Sequence, residues 1–339
     1  MIDSLSIERF RGIVTGRLDG FTPLCILLGT NGSGKSTVLD ALHIAASTQP
    51  GQSIGESVRR RDVLRGARWL FHAGDGSQSA ELQVSGRSGS RRLSLSLQML
   101  KKGAWSSQVF AREAALGGPP TVYTKFKSNN DFEPVELLPL EEDDFDTLNS
   151  VLEPIEVRFV DLRDGQHRNA ILKAHTAAVE QGALGRIIPL LAEVIPGLKD
   201  FRLVTDDKNE PVVMLDFGSR AVPAALAGDG AYALIRLAFE LASKSEPLVL
   251  IEEPEIHQHP AALRRTAQVL RTAVDRGTQV ILSTHSLDLF DFLVSEASPA
   301  QLEKISVYRL NLRDGELASS RWQGREVYDG RDEAVRDLR

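Results

Sequence analysis

A single cysteine among 339 residues leaves no material for an intrachain disulfide or a thiolate zinc cluster. That residue, Cys25, sits in the apolar run 24-LCILL-28, where a buried strand residue is expected. Aromatic residues are scarce at 6%, yet 42% hydrophobic and 25% charged residues make an ordinary globular balance, so the chain is expected to fold. There is no surplus of positive charge: 40 basic against 46 acidic side chains give −6, a field that does not point to nucleic acid, although a local basic face stays open. No stretch approaches the ~20 consecutive apolar residues of a membrane helix. The opening MIDSLSIERFRG has neither a basic n-region nor an apolar h-region, so no membrane segment and a cytoplasmic location are expected.

What is present is a long pattern of alternating elements. Residues 5–28 read as extended segments with turns at Gly12, Gly16 and Gly20, and 36-STVLDALHIAA-46 carries apolar residues at helical spacing. The basic run 59-RRRDVLRGAR-68 could meet phosphate, but a solvated loop is the expectation. Alternation over 81-ELQVSG-86 and 91-RRLSLSLQM-99 predicts a hairpin or part of a mixed sheet. Residues 100–150, including 141-EEDDFD-146, are polar and turn-rich and read as an exposed connection or inserted arm. Beyond them come a strand in 155-IEVRFVDL-162, two helical stretches within 166–195 and a hairpin around Asp207, Lys208 and Asn209. From residue 231 helix, strand, helix, strand and helix alternate, and Asp314-Gly315 marks a closing hairpin. The fold class this implies is α/β, a largely parallel or mixed sheet covered by helices. Its organisation is expected as 1–99 and 226–339 forming one α/β domain, with 100–225 as a smaller inserted arm.

The sharpest local signal is 29-GTNGSGKST-37, which fills G-x-x-x-x-G-K-[ST] between an apolar strand and a helix. Glycines allow backbone N–H groups to turn towards a phosphate, and the following helix N-terminus adds a favourable field. Gly29, Asn31, Gly32, Ser33, Gly34, Lys35, Ser36 and Thr37 are therefore the candidate ATP contacts. Lys35 would reach the β- and γ-phosphates and Ser36 would hold Mg²⁺ through its hydroxyl.

The segment 248-LVLIEEPEIHQHP-260 places Glu252 and Glu253 at the end of an apolar run. A nucleotide-bound Mg²⁺ takes oxygen ligands and keeps several waters, so Glu252 is the candidate metal-side acid. Glu253 is then the candidate general base or water-positioning group. Aspartate is more familiar at the first position, and the extra methylene of Glu252 makes slower turnover an open alternative. A charged strand end remains the bland alternative, and zinc held by His257 and His259 a third, for which spacing supplies no further ligand. His285, which follows the strand 279-QVILST-284, is placed to sense a γ-phosphate or orient water.

Together the strand followed by GTNGSGKST, LVLIEEPEIHQHP and VILSTHS resemble the ATP-binding-cassette ATPases of the RecF/SMC type, and more narrowly the ATPase domains of OLD-family and related prokaryotic AAA proteins. The opening 5-LSIERFRGI-13 is similar to their first strand and turn. The resemblance covers residues 1–46 and 223–322. It implies a P-loop fold of cassette type, with Glu252 on the metal side, Glu253 as catalytic acid and His285 as switch histidine. It also implies that Gly228, Asp229 and Gly230, in 226-LAGDGAYALIRLAF-239, present a signature element across an ATP-dependent homodimer, although the usual serine is absent. His257 and His259 would then be interface residues. OLD proteins often carry a Toprim nuclease domain, and the 17 residues after Trp322 cannot contain one. A separately encoded nuclease or toxin effector, DNA as a candidate partner, and a role in DNA repair or antiphage defence are what the resemblance suggests. An ATP-responsive scaffold with little turnover, and a transport ATPase subunit, are the alternatives.

Overall fold

The structure, a computed structural model, describes residues 1–61, 66–99, 107–114, 121–126, 132–137, 153–163, 167–242 and 247–330. Its first half begins with the hairpin β1 (Ile2–Phe10) and β2 (Ile13–Asp19), followed by β3 (Leu24–Leu28), α1 (Lys35–Ala46) and α2 (Pro50–Arg59). An antiparallel run β4 (Ala80–Gly86), β5 (Gly89–Met99), β6 (Ser107–Ala114), β7 (Thr121–Phe126) and β8 (Phe132–Leu137) comes next. Then follow β9 (Val157–Asp161), α3 (His167–Glu180), α4 (Leu184–Ala192), β10 (Asp200–Thr205), β11 (Pro211–Asp216) and β12 (Ala221–Pro223). The remainder alternates: α5 (Asp229–Ala242), β13 (Leu248–Glu252), α6 (Pro260–Asp275), β14 (Gln279–Ser283), α7 (Leu287–Ser295) and α8 (Pro299–Leu302). It closes with β15 (Ile305–Arg313), β16 (Glu316–Gln323) and α9 (Gly324–Asp329).

The chain divides into two compact units. The first comprises Met1–Thr22, Leu27–Arg158 and Tyr308–Arg321; the second comprises Pro23–Ile26, Phe159–Val307 and Trp322–Arg339. In the first, strands lie in the order β8-β7-β6-β5-β4-β1-β2-β16-β15. Alternation in β1 and β4 turns Leu5, Ile7, Leu82 and Val84 inwards, all fully buried, against the apolar stripe Val38, Leu39 and Leu42 of α1. Gly16 is not the turn its composition suggests. It pairs with Leu317 in the parallel β2/β16 contact, where a Cβ would stand 2.7 Å from the Leu317 Cβ, so glycine answers a close approach between strands. The Asp314-Gly315 pair does form the β15–β16 turn, with φ of 50° and 82°, both in the left-handed region that a tight hairpin requires.

Two expectations fail in this unit. Residues 100–150 contain β6, β7 and β8, a meander added to β5, rather than a bare polar connection. Backbone pairing to an existing edge makes strands of short segments such as TVYTKF and FEPVEL; the acidic 141–146 stretch lies outside the described residues. The basic run is also not wholly solvated, because Arg60 and Arg61 turn inwards. Asp40 of α1, fully buried, pairs with Arg11 at 2.8 Å, with Arg60, and with Arg61 at 3.5 Å. Burial works against the Asp40 charge, but Arg11, Arg60 and Arg61 together hold its carboxyl below the usual range.

In the second unit, β3 is followed across the sheet by β14, β13 and β9, and β13 runs parallel to β14. Every residue of β13 and β14 is buried, as expected of a parallel strand covered on both faces. Helices α3, α5, α6 and α7 pack in series beside them. His175, Phe201 and Phe239 meet edge-to-face with centroids 4.8–6.5 Å apart. A separate sheet, β10-β11-β12, has the expected hairpin, with Asn209 at φ 60° in its turn. The two predicted helices within 166–195 separate at Gly182, φ 61°, while Gly185 falls inside α4.

Candidate functional site

The candidate phosphate loop lies in the first unit. Gly29, Gly32 and Gly34 take φ of 146°, 79° and 95°, conformations that side chains rarely adopt. At Gly29 a Cβ would also stand 2.5 Å from Ser33 Oγ and 2.7 Å from the Leu310 carbonyl. Glycine is thus required twice over there. Lys35 is buried, and its Nζ donates to the carbonyls of Gly29 at 2.8 Å and Thr30 at 3.0 Å, which folds the loop round its own ammonium. Asn31 and Gly32 form the exposed tip; Ser36 and Thr37 occupy the first turn of α1. Gly34 supplies no side-chain cap to that helix, and no acidic residue belongs to its first turn. A nest of left-handed glycines, a lysine and a hydroxyl at a helix start is a donor set that fits nucleotide phosphates with their Mg²⁺.

The candidate acid centre lies in the second unit. Parallel pairing sets Glu252 opposite Ser283, and the Glu253 N–H donates to the Ser283 carbonyl at 3.0 Å. Register therefore fixes where the acids emerge relative to the end of β14. Glu253 adopts φ 49°, an uncommon conformation for a residue other than glycine, at the very position read as catalytic. His285 Nε2 stands 3.8 Å from Glu253 Oε1. Glu255, which the sequence reading left without a role, accepts from the backbone N–H of His285 at 2.7 Å and of Ser286 at 3.2 Å. It ties the turn after β13 to the turn after β14. Ser286 in turn caps α7 by accepting from Leu289 N.

A second residue that sequence reasoning missed is Arg163, two positions beyond β9. Its Nη2 stands 2.7 Å from Glu252 Oε2 and its Nη1 3.8 Å from Glu253 Oε2. It also binds Asp161 through its backbone N–H, Nε and Nη2 at 2.9, 3.1 and 3.3 Å. Burial opposes the Arg163 charge, yet the Asp161 bond and the charges of Glu252, Asp161 and Glu253 outweigh it and raise its pKa. The only hint in the sequence was 160-VDLRD-164, an Asp-x-Arg at a strand end.

The candidate signature residues share this unit. Gly228 takes φ 84°, Asp229 opens α5, and a Cβ on Gly230 would stand 2.5 Å from the His257 carbonyl. The GDG loop and the turn after the acid pair therefore touch by backbone. His259 caps α6, its Nδ1 accepting from Ala261 N at 3.3 Å. A cavity of about 290 Å³ lies among Leu162, Arg163, Asp229, Tyr232, Arg236 and His257. No three His, Cys, Asp or Glu side chains gather as a metal cage among the described residues. Nucleotide-bound Mg²⁺ needs none, since one or two protein oxygens, phosphate and water suffice.

Residues 24–291 match the family described as "AAA domain, putative AbiEii toxin, Type IV TA system". The chain belongs to this family. Among curated relatives, the uncharacterized protein MJECL11 of Methanocaldococcus jannaschii is 35% identical over 114 residues, 33% of this chain and 98% of that protein. Old nuclease of Escherichia phage P2 is 44% identical over 46 residues, which are 14% of this chain and 8% of that protein. The similarity to Old nuclease thus spans a small part of that protein. Among solved structures, an Smc head bound to the C-winged helix domain of ScpA covers 97% of this chain and 99% of its own, with TM-score 0.56 and 14% identity. An Smc head with an extended coiled coil, bound to the C-terminal domain of ScpA derived from Pyrococcus furiosus, covers 98% and 99%, with TM-score 0.51 and 12% identity. The mixed α/β fold is therefore that of these Smc heads. No helix among the described residues is long and apolar enough to cross a membrane.

Proposed function

We propose that this AAA-family chain is an Mg²⁺-dependent ATPase that works as an ATP-linked homodimer and controls a partner. The observation that carries the reading is the glycine nest of Gly29, Gly32 and Gly34 around Lys35, set between a buried strand and an uncapped helix N-terminus. Gly29, Asn31, Gly32, Ser33 and Gly34 would line the phosphates, Thr37 would support them from α1, and Lys35 would exchange its carbonyl partners for the β- and γ-oxygens. Ser36 and Glu252 would hold Mg²⁺, which supplies charge neutralisation at the phosphates. Glu253 would orient and deprotonate the attacking water, with His285 placing that water against the γ-phosphate. The strained backbone at Glu253 and its contact with His285 support this division of labour.

The signature role for Gly228, Asp229 and Gly230 is supported by their position at the start of α5 and by the Gly230 contact with the His257 backbone. In a dimer these residues would face the other protomer's phosphate, and hydrolysis would release or reshape the pair. A DNA-related or defence role, with a nuclease or toxin as the controlled effector, is the broader context that the family and the Old nuclease segment support. The test is to purify Glu253→Gln with ATP and Mg²⁺ and measure its mass in solution and its nucleotide content. Retained ATP in a dimer supports the reading. A monomer that binds no ATP refutes it.

A further inference from the structure

We infer that Arg163 is the positioning residue of the acid pair and the cation that a divalent metal must displace from Glu252. This rests on the roles given above to Glu252 and Glu253. The physical problem is that Glu252 has only 1% of its side chain exposed, and a buried carboxylate with no counter-charge is strongly unfavourable. Arg163 solves it from a neighbouring strand end. Because Asp161 takes the Arg163 backbone N–H, Nε and one Nη2 hydrogen, the guanidinium is held in place before it meets the glutamates. A planar fork fixed in this way orients two partners at once, which a lysine ammonium cannot do. Glu252 receives the short contact at 2.7 Å and Glu253 the longer one at 3.8 Å.

The charge count then gives the second half of the inference. Asp161, Glu252 and Glu253 all contact the Arg163 guanidinium, so these four side chains together carry net negative charge. His285 Nε2 stands 3.8 Å from Glu253 Oε1. A divalent cation is therefore attracted to the cluster, yet the Glu252 oxygen nearest the guanidinium is already engaged. Two cations cannot share it closely, so metal binding and the Arg163 contact compete. Arg163 has somewhere to go: its side chain is 36% exposed and borders the cavity of about 290 Å³, and it can swing off Glu252 while keeping its Asp161 anchor. Glu252 would thus pass from one cation to another, and metal affinity would be set by this exchange.

The test uses Mn²⁺ alone as probe, titrated into nucleotide-free protein and read by electron paramagnetic resonance, beside phosphate release at varied Mg²⁺. For Arg163→Ala the expectation is Mn²⁺ binding at least tenfold tighter than wild type, abolished again in the Arg163→Ala/Glu252→Gln double variant. In turnover, the same variant should lose at least tenfold in kcat with KM for ATP within twofold, need less Mg²⁺ for half-maximal rate, and recover kcat with added guanidinium ion. Arg163→Lys keeps the charge without the fork and decides the matter if the alanine variant does not fold. It should bind Mn²⁺ within threefold of wild type yet still lose kcat. Mn²⁺ binding by Arg163→Ala equal to or weaker than wild type overturns the competition. A kcat unchanged in Arg163→Lys and indifferent to guanidinium in Arg163→Ala overturns the positioning role. Failure of the wild type to release phosphate would instead sink the ATPase reading, while the Mn²⁺ titration still judges Arg163.

Discussion

Lowering the pH from 8 to 5 should destabilise the first unit through one imidazole. His43, on α1 directly behind the phosphate loop, is buried, and its pKa is lowered to about 3. Burial is the main cause and the nearby Arg60 guanidinium adds to it, while Asp40 pulls the other way. Glu56 stands 3.6 Å from Nε2, a contact that would favour the imidazolium, but the desolvation of a side chain only 4% exposed outweighs it. The folded pKa is thus depressed below the unfolded value of about 6.5, so between the two the unfolded chain binds the extra proton. Stability is complete above the unfolded value and falls as the pH drops towards the folded one. At pH 5 the chain is about 1.5 units below the unfolded pKa, a loss of about 2 kcal/mol at about 1.4 kcal/mol per unit. Asp40, already held below the ordinary carboxylate range, adds its own loss only at more acid pH. His175 has a lowered pKa for the same reason of burial and contributes in the same direction, so the wild-type slope alone does not isolate His43. His43→Gln does: urea unfolding at pH 8 and pH 5 should show the variant losing about 2 kcal/mol less than wild type. Equal losses in the two proteins would refute a buried neutral His43.

Other consequences follow from the same contacts. Asp40→Asn leaves Arg11, Arg60 and Arg61 around a neutral amide and should cost about 3–5 kcal/mol in urea unfolding at pH 7. Gly230→Ala drives a Cβ to 2.5 Å from the His257 carbonyl and should cost about 1–3 kcal/mol in the second unit, with loss of ATP-linked dimerisation measured by light scattering. Glu253→Gly should be about 1 kcal/mol more stable than Glu253→Ala by thermal or urea unfolding, because glycine relieves φ 49° and both lack the carboxylate.

The elements that carry the fold were legible wherever apolar periodicity was dense. The all-buried strands 24-LCILL-28 and 248-LVLIE-252 and the helix after the glycine loop stood out for that reason. What escaped was structure fixed by partners distant in sequence. Strands β6 to β8 exist because β5 offers an edge, and Gly16 is small because Leu317 arrives from 301 residues further along the chain. The same holds for the site. Glycines with φ above zero and a lysine at fixed spacing announce a phosphate loop in one short segment, whereas Arg163 meets Glu252 across 89 residues and Glu255 meets His285 across 30. Arg60 and Arg61 looked like a solvated charge run until Asp40, a helical residue on an otherwise apolar stretch, was found between them and Arg11. A buried acid inside an apolar helix was the one available signal for that cluster.

The central claim is that Lys35 holds ATP and Glu253 consumes it. The most direct measurement is a single-turnover assay with radiolabelled ATP and Mg²⁺, separating nucleotide bound from phosphate released in wild type, Lys35→Ala and Glu253→Gln. The account predicts binding and release in wild type, loss of binding in Lys35→Ala, and binding within a few fold of wild type but release slowed by about 100-fold or more in Glu253→Gln. Release by Glu253→Gln at the wild-type rate, or ATP binding undiminished in Lys35→Ala, would contradict it.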